Sequence, residues 1–114
     1  MASFLLAGYA ENPGPDGKGK NVKNIILLIG DGMGVSQVCA ALTAQKGYLN
    51  IAELKDIGFS KTYSYDNFIT DSGAGGTAIA TGYKTYDHAI GVDKDPIPRK
   101  SILEYAGDHG KARP

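Results

Sequence analysis

Residues 24–30 (NIILLIG) form a continuous apolar run bounded by polar and turn residues. A run without in-and-out alternation predicts a strand covered on both faces, the pattern of a parallel sheet. Residues 35–46 (VSQVCAALTAQK) follow with Val35, Val38, Cys39, Ala41 and Leu42 at close to helical spacing, and Gly47 offers a C-terminal stop. A strand feeding a helix through a glycine turn is half of a βαβ unit. Residues 51–55 predict a short helical turn, and 58–65 (GFSKTYSY) alternate Phe59, Lys61, Tyr63 and Tyr65 with Ser and Thr, as a second strand does. A further helix is predicted to open near Ser72 and close at Gly82. Residues 83–98 read as loop, and 101–110 (SILEYAGDHG) as a last helix with Ser101 and Glu104 at capping-box spacing. No internal repeat interrupts this α/β order.

At 114 residues and 12.0 kDa the chain has the size of one small domain, able to bury about two-thirds of its unfolded surface. Residues 1–10 (MASFLLAGYA) resemble the end of a signal-peptide apolar region with a small-residue cleavage site, although no basic segment precedes them. An arbitrary start before an unstructured lead-in is the other reading. Residues 11–20 (ENPGPDGKGK) are too rich in Pro, Gly and charge to bury apolar surface and read as a linker. The expected division is therefore 1–22 as leader remnant and linker and 23–114 as the folded part, with export to the periplasm or secretion as the expected destination. The closing residues KARP follow a helix that, in a βαβ fold, leads into another strand, so a continuation is expected.

Charge narrows the partners. Twelve basic residues balance twelve acidic ones at a sequence pI of about 6.7, which leaves no footprint for nucleic acid or anionic lipid. No run approaches the roughly 20 apolar residues of a membrane span. The single cysteine, Cys39, excludes an internal disulfide and a thiolate zinc site and reads as a small core residue on a helix. The sixteen glycines cluster at 30–34 and 73–76, where a backbone turns sharply or approaches a ligand.

Candidate chemistry lies at those two clusters. Asp31, in IGDGMG, stands at the C-terminal end of the predicted first strand, where open α/β sheets place their ligand crevices. It is placed either to hold a metal or to cap the following helix. Thr70-Asp71-Ser72 puts a hydroxyl at a predicted helix N-terminus, where free N–H groups and the helix dipole favour phosphate. Serine needs a base or a metal to become nucleophilic. Neither His88 nor His109 has a carboxylate orienter evident in the sequence, which favours metal activation; the alternative is an N-cap serine before a glycine-rich turn. Both histidines read as solvated, as do Lys84, Asp87, Asp93, Lys94 and Asp95 in a mixed-sign loop.

Taken together, NIILLIGDGMG and TDSGAGGTAIATGYKT resemble the alkaline phosphatase family, the first its opening strand and metal-binding turn, the second its nucleophile segment. IGVD at 90–93 and SILEYA at 101–106 fit as well, so the resemblance spans residues 24–111. It implies an alkaline-phosphatase-like parallel-sheet sandwich, with 23–114 the N-terminal part of the catalytic domain. It further implies that Ser72 is transiently phosphorylated and contacts metal, that Asp31 bridges toward zinc and magnesium, and that Asp71 and Thr70 support the site, the N–H after Asp71 helping to hold phosphate. Small-molecule phosphate monoesters as substrates and a homodimer follow from the same likeness. Gly73, Gly75 and Gly76 depart from members richer in Ala and Ser. The family's other zinc and magnesium ligands and its phosphate-clamping arginine have no counterpart here. A catalytic zinc takes about three protein ligands, so the chain alone is expected to be inactive. A related phosphodiesterase, phosphomutase or sulfatase is the alternative, although a sulfatase would show a Cys/Ser-x-Pro-x-Arg context that 71–75 lacks. A non-catalytic truncated product is a further alternative.

Overall fold

The computed structural model describes residues 25–111. The expected leader and linker, and the last three residues, lie outside them. Among the described residues three α-helices occur in order: α1 (Val35–Ala44), α2 (Ser72–Thr81) and α3 (Ile102–Asp108), with a 3-10 turn at Asn50–Glu53 between the first two.

Each helix ends where its sequence signals it. Gly34 opens α1 with extended backbone, its N–H donating to Gln37 Oε1 at 2.9 Å. Gly47 closes that region at φ 91°, donating to the Leu42 carbonyl at 2.8 Å. The capping box of α3 forms as its spacing predicts. Ser101 Oγ accepts from Glu104 N–H at 3.2 Å, while Glu104 Oε2 accepts from Ser101 N–H at 2.7 Å. None of the residues of α1 is buried, and Cys39 is exposed rather than a core residue. The apolar side of α1 is only partly covered among the described residues, with Val38, Ala41 and Leu42 half-buried.

The two predicted strands do not form among the described residues. Residues 25–30 have no ladder partner, and Ile25, Ile26 and Leu28 are 84, 79 and 73% exposed. The run has the composition of a strand covered on both faces, but extended backbone becomes a strand only against a neighbour whose N–H and C=O groups complete the ladder. Residues 58–65 are irregular and Phe59 is fully exposed. Their tail bends into loop contacts, with Tyr65 N–H donating to the Thr85 carbonyl at 2.8 Å and Ser64 N–H to the Asn67 carbonyl at 3.0 Å. Sheet pairing among the described residues is confined to an antiparallel bridge between Val92 and Pro98.

The packed centre lies between α2 and the loop that follows it. Ala74 is its buried hydrophobic residue, joined by the buried polar residues Ser64, Thr70, Thr77, Thr85 and Asp93. Buried polar groups must be paired, and these are. Thr77 Oγ1 accepts from Gly91 N–H at 3.0 Å, and among the described residues no buried side-chain nitrogen or oxygen lacks a partner. Asp93 corrects the expectation of a solvated loop. It is 4% exposed, accepts from the Asp95 and Ile97 N–H groups at 2.8 and 3.1 Å, and takes Arg99 Nε at 2.7 Å as well as Nη2. Burial pushes its pKa up, but the Arg99 guanidinium and the Ile97 and Asp95 N–H groups outweigh burial and hold it below its ordinary value. Arg99 also stacks over Tyr83, 4.3 Å from the ring centre. The result is a clasp across residues 92–99 that anchors the loop to Tyr83 and Thr85, just beyond the end of α2.

Candidate functional site

The site is built on the first turn of α2. Asp71, not Ser72, is the N-cap. Its backbone is extended, and its Oδ1 accepts from Ala74 N–H at 2.8 Å. Aspartate suits this position because the opening N–H groups of a helix have no intrahelical acceptors and the dipole favours negative charge there. Ser72 is thereby the first helical residue, with its side chain left for other contacts.

Ser72 Oγ donates to the carboxylate of Asp31, lying 2.9 Å from Oδ2 and 3.1 Å from Oδ1. Forty-one positions separate the two residues in sequence. Asp31 is carried on a tight turn in which Met33 N–H donates to the Gly30 carbonyl at 3.2 Å and Gly32 adopts φ 67°. That conformation favours glycine at 32 and bends the chain so that the carboxylate faces α2. Asp31 does not cap α1, a position that Gly34 takes.

Thr70 is buried at 5% exposure, and its hydroxyl donates to the Asp71 carbonyl at 3.0 Å. It shapes the approach to the helix and does not reach Asp31. Asp71 has further partners. Its Oδ2 accepts from His88 N–H at 2.8 Å and lies 3.1 Å from His88 Nδ1, while its own N–H donates to Asp87 Oδ1 at 3.3 Å. The Ala74 N–H, the largest influence, holds the Asp71 carboxyl below its ordinary pKa; burial opposes it, and the backbone and imidazole of His88 add to the lowering.

His88 therefore has the carboxylate orienter that its sequence context does not reveal, although its side chain is 90% exposed. Asp87 likewise has structural work, holding Asp71 N–H and, at 3.1 Å, the Asn67 amide. Neither is visible in sequence, since the contacts span sixteen or more positions and follow no local pattern. His109 stays exposed, with Nδ1 2.8 Å from the Tyr105 carbonyl.

As a cation site the arrangement is partial. Asp31 and Ser72 offer adjacent oxygen donors of the hard type that divalent ions accept. Among the described residues no three His, Cys, Asp or Glu side chains come together to hold a metal, and two donors fall short of the roughly three of a catalytic zinc.

A serine hydroxyl on the first turn of an aspartate-capped helix, bonded to a distant carboxylate, has the features of an anion-accepting nucleophile site. The alkaline phosphatase family model matches residues 22–113, and the chain belongs to that family. It is 41% identical over 103 residues to alkaline phosphatase H of Pseudomonas aeruginosa (strain UCBPP-PA14) and, over the same length, 41% identical to the alkaline phosphatase of Escherichia coli K12. Each alignment covers 82% of this chain and 22% of the relative. Among solved structures, the alkaline phosphatase from the Antarctic bacterium TAB5 matches with a TM-score of 0.62 and 42% identity over 65% of this chain and 22% of that one. The chain thus has an alkaline-phosphatase-like fold and spans about a fifth of the length of the curated relatives it matches.

Proposed function

We propose that this chain supplies the nucleophile side of a phosphate-monoester hydrolase, with Ser72 accepting the phosphoryl group and Asp31 as its partner. The observation that carries the reading is the contact of Ser72 Oγ with both Asp31 oxygens, at 2.9 and 3.1 Å. Asp31 orients the hydroxyl and accepts its proton as Oγ bonds to phosphorus and the ester P–O bond breaks to release the alcohol oxygen. The N–H groups of Ser72 and Gly73, at the head of the helix, have no intrahelical acceptors and are aligned to receive phosphoryl oxygens. Asp71, engaged through both carboxylate oxygens, fixes the direction of those donors.

Zinc and magnesium are the ions the family resemblance implies, and Asp31 with Ser72 Oγ are the atoms here that would hold one. A bound divalent ion supplies Lewis-acid stabilisation of negative charge. The remaining ligands are expected from outside this segment. The doubly exposed apolar run at 25–29 supports placing the segment in a parallel sheet of a larger sandwich, homodimeric as in the family resemblance.

The test is trapping of the covalent intermediate. In the enzyme that carries this segment, a labelled phosphate monoester should leave acid-stable label on Ser72, and Ser72→Ala should abolish it. Undiminished labelling of the alanine variant would falsify the assignment.

A further inference from the structure

We propose that His88 is a positioning residue: its imidazole, resting on the Asp71 carboxylate, locks that carboxylate onto the first turn of α2 and so keeps Ser72 aimed at Asp31. The inference rests on the reading of Ser72 as nucleophile. Its starting point is a conformational oddity. His88 has φ 68°, in the left-handed region that a residue with a side chain adopts at a cost. Glycine would meet the backbone requirement without that strain and would still donate the His88 N–H bond of 2.8 Å to Asp71 Oδ2. What the imidazole adds is the second contact on the same oxygen, Nδ1 at 3.1 Å.

The surrounding loop holds the His88 backbone in place. Ala89 N–H donates to the Tyr86 carbonyl at 3.1 Å, closing a turn around His88, and Gly91 N–H donates to Thr77 Oγ1 at 3.0 Å, tying the loop to the second turn of α2. At Gly73 the helix comes within van der Waals reach of this loop: a Cβ there would stand 3.4 Å from Ile90 Cγ1 and 3.5 Å from both the Ala89 carbonyl and Asp71 Oδ2. Asp71 is thus held on one oxygen by the helix and on the other by the loop. Ser72 follows it directly in the chain.

The arrangement also dictates a tautomer. An ionised carboxylate only accepts hydrogen bonds, so the 3.1 Å approach of Asp71 Oδ2 favours a proton on Nδ1. In neutral His88 the bare nitrogen is then Nε2, the reverse of the form a free histidine prefers in water.

Two measurements decide the matter. With the imidazole neutral, nitrogen-15 NMR of the full chain should show His88 in the Nδ1–H form; the Nε2–H form overturns the proposal. In the enzyme that carries the segment, His88→Gly should slow phosphorylation of Ser72 by roughly three- to five-fold, the scale an exposed pair supports, with KM unchanged. His88→Asn, which tolerates positive φ and can donate from Nδ2, should restore the rate to within about two-fold. A glycine variant as fast as the parent overturns the proposal, as does one that asparagine fails to rescue. Glycine relieves the backbone, so misfolding would not mimic the expected loss. If Ser72→Ala still labels, the nucleophile reading fails instead, whatever tautomer His88 shows.

Discussion

Alanine at Gly76 and at Gly82 should shift the stability of α2 in opposite directions. Gly76 is exposed in the interior of the helix, and a Cβ built there meets nothing within 4 Å. The substitution therefore brings the helix preference alone, about 0.5–1 kcal/mol of stabilisation. Gly82 ends the helix at φ 78°, its N–H donating to the Ala78 carbonyl at 2.9 Å, and a Cβ there is equally unobstructed. With no clash to relieve, the penalty is that of the left-handed backbone, about 1–2 kcal/mol. Amide hydrogen exchange at Ala80, Thr81 and Gly82 reads the local opening without requiring a global transition. Protection should rise by about two- to five-fold for Gly76→Ala and fall by about five- to thirty-fold for Gly82→Ala. Equal or same-sign shifts would refute the reasoning, because the two sites differ in backbone conformation and not in crowding.

Two further outcomes follow from the site and its clasp. Asp31→Asn keeps one acceptor for Ser72 but removes the charge, and phosphoserine formation should fall by about a hundred-fold or more in a single-turnover assay; a change under two-fold would exclude Asp31 as its activating partner. Asp93 has a folded pKa below its ordinary 3.8, so its stabilisation of the 92–99 clasp is complete above that value and is lost as pH falls through the lower, folded one. The Asp95 and Ile97 amide signals should report that loss, and Asp93→Asn should remove their pH dependence in this window.

Local signals in the sequence suffice where structure depends on near neighbours. Ser101 with Glu104, Gly47 after α1 and Gly82 after α2 each sit where capping chemistry places them. The pairing of Asp31 with Ser72 was reached by resemblance, since neither periodicity nor spacing joins positions so far apart. The strands expected at 24–30 and 58–65 find no ladder among the described residues, because a ladder is a property of two segments and an apolar run names only one. Asp93 and Asp87 looked like solvated charges because a mixed-sign loop carries no mark of which carboxylate turns inward. His88 escaped for the same reason: its partner is chosen by the path of the loop.

Around Ala74 the interior of the described residues is made of hydroxyls and a carboxylate, while Ile25, Ile26, Phe59 and Phe68 face outward. Hydrocarbon contacts tolerate sliding, whereas the hydrogen bonds that Thr77 and Asp93 accept and Thr85 donates are directional and have few alternative solutions. A cradle assembled in this way carries its own template: whatever settles over the greasy exterior can vary in detail, and the aim of the serine is set from within.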